Sequence, residues 1–285
     1  MLSRIWGAGE ARHWRARWRH LLLLPMAALF LLPLIWMVTT SLRETGRALN
    51  PRLVWVPDPL AWENYPAVFE SLPMWRFAAN SLFVAVVAVA ITVVISSWAG
   101  FALAQLPVTW RLRLAAVSFA ALMVPLTAVW LTRFVLFKQV GLIDTPWALI
   151  APAAMGTSPS YALLFLWTFL RVPAETFEAA RLDGASAFRI WVGIAMPLAR
   201  PTATAVALLG FTVYWSSFIE PLIYIQTIEK QTLPFALQML YQLDRDDWPL
   251  LMAGAVLISA PVILVFLMAQ RYFLQEFRGT GSMGR

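Results

Sequence analysis

"FAANSLFVAVVAVAITVVISSWAGFALAQLPVTW" runs from Phe77 to Trp110 without a charge, between Arg76 and Arg111. A bilayer's hydrocarbon core is ~30 Å thick, and about 20 helical residues cross it. This run is longer than that. Five more uncharged runs lie along the chain: Leu21–Leu42, Leu114–Thr132, Thr145–Leu170, Pro201–Ile219 and Trp248–Gln270. Lipid offers no partner to an open backbone, so each run is read as a helix. The chain of 285 residues is 13% charged, where a soluble domain carries about 25%, and its mean hydropathy is +0.69. The fold predicted is an all-α polytopic membrane protein with six transmembrane helices.

Lys and Arg placement orients it. With the N-terminus inside, 14 of the 22 basic residues and 5 of the 15 acids fall in inside segments, a split of +9 against −2. Cytoplasmic loops carry the Lys/Arg excess, so both termini are expected to be cytoplasmic. The division is a basic cytoplasmic N-terminus at 1–20, a six-helix transmembrane domain at 21–270 and a cytoplasmic tail at 271–285. Within the domain, 43–76 is extracytoplasmic and 171–200 is a cytoplasmic loop. The net charge of +7 is thereby a topology signal rather than a sign of nucleic-acid binding. The first apolar run is longer than a signal-peptide core and no small-x-small site follows it, so it is read as a retained helix. With no cysteine, disulfides and Cys-ligated metals are excluded.

Ala88, Thr92, Ser96, Gly100 and Ala104 recur at four-residue spacing, a face of small side chains that lets another helix approach closely. That face serves packing within the chain or a subunit interface. The fourth run is interrupted by Pro152, Gly156 and Pro159. Irregular backbone at membrane depth is tolerated where protein buries it or where it lines a wet cavity. Thr157, Ser158, Ser160 and Tyr161 are therefore candidates for a translocation path, with a structural kink as the plainer alternative. Glu220, in "WSSFIEPLIYI", directly follows an apolar run, and an interfacial position is the simpler reading of it. His13 and His20 have no metal-ligand partner at helical spacing. No GxxxxGK[ST] loop, HExxH motif or Ser-His-Asp arrangement appears, so no cofactor is expected and no enzyme activity is assigned.

One segment is built for a soluble partner: "RVPAETFEAARLDGASAFRIWVGIAMPLAR", residues 171–200. Pro173 suits a first turn, and Glu175 and Glu178 complement the helix dipole. Asp183-Gly184 stops the helix after Leu182. A second helix starts near Ser186 and carries Phe188, Ile190, Trp191 and Ile194 up to Pro197, with apolar side chains that the chain need not cover. The bland alternative is an interfacial hairpin with Glu178 and Arg181 paired at i, i+3.

The pattern Glu178-Ala179-Ala180, Gly184, then Ile194-Ala195-Met196-Pro197 resembles the "EAA…G………I.LP" loop of membrane subunits of bacterial binding-protein-dependent ABC importers. "FEAARLDGAS" is similar to the carbohydrate, maltose-permease-like branch. "LPLIWMVTTSL", "ENYPAVF", "RFAANSL", "GLIDTPWALI", "TLPFAL" and "MAGAVLISAPVILVF" extend the resemblance over nearly the whole chain. Met196 replaces the usual Leu before Pro197. Trp215-Ser216-Ser217-Phe218 stands where the family has Trp-Asn-acid-Phe, and "RGTGSMGR" replaces its usual tail.

The resemblance implies a type I importer permease in the bacterial inner membrane, moving a sugar or related polyol. Its partners would be a second related permease subunit, two cytoplasmic ATPase subunits and an extracytoplasmic binding protein. Glu178, Ala179, Ala180, Asp183, Gly184, Phe188, Ile194 and Pro197 would couple to the ATPase, and Trp215 and Glu220 would join the candidate path. A stand-alone secondary transporter, which would want paired intramembrane charges, is the alternative, and a membrane-embedded enzyme is a further one.

Overall fold

Every regular element among the described residues is a helix. The computed structural model describes residues 6–45, 55–156 and 158–280, and side chains within 21–270 of these. The predicted segments 1–20 and 271–285 thus lie largely outside the described side chains, and part of 43–76 lies outside the described residues. Among the described residues, four helices are long and apolar enough to span a membrane: Leu21–Ser41, Met74–Ala104, Pro146–Phe169 and Trp248–Gln270. The other two predicted runs are bent pairs, Val108–Leu122 with Leu126–Gln139 at 91° and Ala187–Leu198 with Arg200–Trp215 at 82°. The count is four to six, depending on whether each bent pair makes one crossing.

The elements are α1 (Trp6–Ser41), α2 (Asn64–Ser71), α3 (Met74–Ala104), α4 (Val108–Leu122), α5 (Leu126–Gln139), α6 (Pro146–Ala154) and α7 (Pro159–Phe169). After them come α8 (Ala174–Leu182), α9 (Ala187–Ile190), a π-helical turn (Trp191–Ala195), α10 (Met196–Leu198), α11 (Arg200–Trp215), α12 (Ile219–Tyr224), α13 (Leu233–Leu243) and α14 (Trp248–Thr280). Prolines explain the bends. Pro125 stands extended (ψ 133°) between α4 and α5, and it brings no N–H to continue the ladder. Ala199 (φ −92°, ψ 11°) ends α10, and Pro201 opens α11. Read from hydropathy, the run that holds Pro125 is a single helix, whereas the break at Ala199 falls between the expected end of the hairpin helix and the start of the Pro201 run. The same reading ends the third run at Thr132, whereas α5 continues to Gln139 and buries Arg133. The fourth run breaks as expected. α6 passes through Pro152 and stops at Ala154, Gly156 takes φ +66°, and Pro159 starts α7.

The chain packs as two units, Met1–Ser71 with Leu240–Leu257 and Leu72–Met239 with Ile258–Arg285. In the first, the end of α1 leaves carbonyls without helical partners. Asn64 Nδ2 donates to Ser41 O (2.8 Å) and Arg43 O (2.7 Å), and Ser41 Oγ meets the Tyr65 hydroxyl at 2.8 Å.

In the second unit α3 packs against α6, α7 and α11. Ala88, Thr92, Ser96 and Gly100 are all buried. A Cβ on Gly100 would lie 2.6 Å from Phe165 Cβ and 2.7 Å from Ala162 O, so the small face serves packing within the chain, against α7. Asp144, at φ +60°, fastens the α5–α6 connection to the segment after α12. Its Oδ1 accepts from the Gln226 and Thr227 N–H groups at 3.0 and 2.8 Å, and its Oδ2 accepts from Thr227 Oγ1 (2.6 Å) and Lys230 Nζ (2.8 Å). Lys230 first and Thr227 next hold this carboxyl well below the usual carboxylate range.

Candidate functional site

The hairpin at 174–198 is built by two caps. At the end of α8, Gly184 N–H donates to Arg181 O and Ala185 N–H to Ala180 O, each at 3.0 Å. This is a Schellman stop, with Gly184 at φ +78°. Two residues later Ser186 Oγ accepts from Arg189 N–H at 3.3 Å and opens α9. The expected helix–turn–helix is present, with a corrected end. The helix does not stop at Pro197 but continues to Leu198. The π-helical turn at Trp191–Ala195 widens the ladder just before the proline, whose ring would clash with an ordinary preceding turn.

The hairpin has two faces. Glu178, Ala179, Asp183 and Gly184 are exposed, as are Pro197 and Arg189, while Ala180 and Ile194 are half-buried. Leu182 and Phe188 stand 89% and 62% exposed, large apolar side chains presented outward. The underside is covered, contrary to the expectation that the chain need not cover it. Phe177, Ile190 and Trp191 are buried with Phe101, Phe165 and Phe169. Beside α8 lies an open cavity of about 470 Å³ whose lining mixes Arg111, Arg171 and Arg181 with Glu175, Glu178 and Gln105.

The candidate path residues scatter more widely. Ser158, Ser160 and Tyr161 are half-buried at the start of α7, and Thr157 lies outside the described residues. Trp215 is buried, donates Nε1–H to Ile258 O at 2.9 Å and stacks on Phe211, so its polar group is committed elsewhere. Glu220 is mostly covered and ion-paired. Its Oε1 accepts from Arg133 Nη1 at 2.9 Å. On α11, the Tyr214 hydroxyl lies 3.3 Å from Thr92 Oγ1 of α3.

Two features escaped the sequence reading. Arg133 directly follows the Leu114–Thr132 run, where a lone cation marks a loop. Trp98 and Phe101 on α3 and Gln105 at its C-terminal cap, at i, i+3 and i+7, face the hairpin. That spacing was available in the sequence but was overshadowed by the small-residue face beside it.

The model of the binding-protein-dependent transport system inner membrane component matches residues 93–279, well over half of the chain. The chain belongs to this family. The match includes the hairpin, the bent α11 and both ends of the Arg133–Glu220 pair. Among curated relatives, the arabinooligosaccharides transport system permease protein AraQ of Halalkalibacterium halodurans is 28% identical, the alignment covering 91% of this chain and 93% of that protein. The lactose transport system permease protein LacG of Rhizobium radiobacter is 28% identical over 89% and 92%. The galactooligosaccharides transport system permease protein GanQ of Bacillus subtilis is 27% identical over 96% and 97%. The fold is that of a chain in the crystal structure of a bacterial ABC transporter involved in import of the acidic polysaccharide alginate. The TM-score is 0.75 at 21% identity, covering 92% of this chain and 98% of that one.

This family member is therefore a multi-pass inner-membrane permease subunit of an ABC importer. ATP hydrolysis belongs to a separate subunit, and the importer-subunit reading prevails over the stand-alone secondary transporter.

Proposed function

We propose that this chain is one of two related permease subunits that together form the path for a carbohydrate or related polyol. The solute is handed over by an extracytoplasmic binding protein, and two cytoplasmic ATPase subunits drive the cycle. The sugar class is supported by the cargo named for the relatives: arabinooligosaccharides, lactose and galactooligosaccharides. Both termini and residues 171–200 are assigned to the cytoplasm on the Lys/Arg split. Ser158, Ser160, Tyr161 and Glu220 are assigned to the path, along with Thr157 and Trp215.

One observation carries the coupling reading. The hairpin turns Glu178, Asp183 and Phe188 outward while Phe177, Ile190 and Trp191 anchor it from beneath. An anchored hairpin with an acidic and aromatic outer face suits a cleft that offers a basic group and an apolar pocket. A bound partner shifts alternating access only by its differential affinity for the two states, and the outer face of this hairpin is where that difference is applied. The test is Glu178→Lys in the reconstituted complex. Truncating one partner of a buried charge pair costs about 2–5 kcal/mol of binding, so the ATPase is expected to be lost on co-purification while the permease stays inserted. Assembly and stimulated turnover equal to the parent would reduce the hairpin to an interfacial ornament.

A further inference from the structure

The hairpin is seated on one stripe of α3. Trp98 places its ring edge-on to Trp191 at a centroid distance of 5.0 Å and tilted against Phe188 at 6.1 Å. One turn further, Phe101 is edge-on to Phe177 of α8 at 5.7 Å and to Phe169 of α7 at 5.8 Å. One more turn on, the Gln105 Oε1 accepts from the Arg181 guanidinium of α8. Each limb of the hairpin therefore has its own anchor on α3: α8 through Phe101 and Gln105, α9 and the π-helical turn through Trp98. Phe101 is 4% exposed, and edge-to-face pairs at these distances are the favoured aromatic geometry. On the neighbouring face of α3, Gly100 leaves room for the α7 backbone at Ala162 and Leu166.

We infer that Trp98, Phe101 and Gln105 are positioning residues that make the coupling hairpin, α7 and the cytoplasmic half of α3 a single body, so that a displacement of the hairpin is delivered to the bundle through α3. Close-packed interfaces shift as units rather than deform continuously. Here the contacts are aromatic along the stripe and polar at its end, so sliding the hairpin along α3 would break the Trp98, Phe101 and Gln105 contacts together. The outward residues Glu178 and Phe188 receive the partner, and the inward stripe passes the displacement on. The inference rests on the coupling role proposed for the hairpin, and it adds which helix carries the stroke.

The absence of cysteine from the sequence makes a direct test practicable. Gln105→Cys and Arg181→Cys are introduced together, the complex is assembled with cysteine-free partner subunits, and a short, reducible bis-thiol cross-linker joins α3 to α8. ATP turnover stimulated by the binding protein is compared in the same preparation before and after the linker is cleaved. If α3 and α8 move as one body, linked and cleaved samples agree within about twofold. Turnover that collapses when linked and returns on cleavage overturns the inference. A second variant reads transmission. Trp98→Ala is expected to keep its ATPase partner but lower solute uptake per ATP hydrolysed about tenfold, with Trp98→Phe restoring it. Unchanged uptake per ATP in Trp98→Ala also overturns the inference. The two readings fail separately. If Glu178→Lys leaves assembly intact, the hairpin is not the docking element. If Glu178→Lys abolishes assembly and the cross-link also abolishes turnover, the hairpin docks but does not move with α3.

Discussion

Arg133 of α5 donates from Nη1 to Glu220 Oε1 at 2.9 Å, with side-chain exposures of 8% and 20%. The pair ties the second limb of one bent helix pair to the segment that follows the other. Removing two charges from water is expensive, and their attraction restores that cost only with good geometry. Its worth therefore shows in what happens when one partner is left alone.

Glu220→Leu strands the buried Arg133 guanidinium and is expected to destabilise the complex by about 3–5 kcal/mol. The double variant Arg133→Leu/Glu220→Leu removes both charges and is expected to recover most of that loss. Thermal unfolding of the purified complex in detergent gives the cycle. Strictly additive effects would show that the two side chains are energetically independent despite their distance.

Gly100 gives the second prediction. An added Cβ would meet Phe165 Cβ at 2.6 Å, Ala162 O at 2.7 Å and Leu166 N at 2.8 Å. Two of these are backbone atoms, so α7 itself must move. Overpacking of this kind costs about 1–3 kcal/mol, and Gly100→Ala is expected to fall in that range in the same unfolding assay. Gly210→Ala is a control. A Cβ there would meet only Val89 Cγ2, at 3.4 Å, and only the helix-propensity change is expected.

Much of this fold can be read from uncharged runs, because lipid penalises charge and open backbone so strongly that Phe77–Trp110 has one physical solution. The stop at Gly184 was equally legible, since a left-handed cap selects glycine and the acceptors Ala180 and Arg181 lie in the preceding turn. The bend at Pro125 was not. Hydropathy counts length, and Pro125 changes direction without changing hydropathy. Arg133 was misplaced for a related reason: a single cation after an apolar run marks a loop unless a distant acid neutralises it, and Glu220 lies 87 positions away. The covered underside of the hairpin depends on α3, whose aromatic stripe has meaning only once both limbs are folded against it.

The Asp144 clasp sets a pH expectation. A depressed carboxyl contributes its stability fully above its unfolded pKa, about 3.9, and loses it as pH falls through the lower folded value. Exchange of the Gln226 and Thr227 amides is thus expected to stay protected from pH 7 to 4.5, beyond the intrinsic pH dependence, and to rise only in stronger acid. Asp144→Asn keeps the left-handed backbone, which Asn tolerates, and removes only the charge. It is expected to raise exchange at pH 7 and abolish the acid transition. An acid transition unchanged in Asp144→Asn would assign it to another group.

Gly184 separates backbone strain from crowding at the turn between α8 and α9. It holds φ +78°, and a Cβ there would meet nothing within 4 Å. The cost of substitution is therefore conformational, ~1–2 kcal/mol for residues that avoid the left-handed region. Asn enters that region more readily than Ala or Val. The turn is exposed and can relax rather than hold the strain, and relaxation re-aims α9 with Phe188. An energy of this size is a factor of roughly 5–30 in a two-state equilibrium. Gly184→Asn is expected to keep ATPase co-purification and stimulated turnover close to the parent, whereas Gly184→Val is expected to lose about an order of magnitude in both. Gly184→Ala should fall between Asn and Val, because branching at Cβ further restricts the backbone. If Asn is as damaging as Val, the left-handed conformation is not what the turn requires, and direct contact of Gly184 with the partner would explain the loss instead.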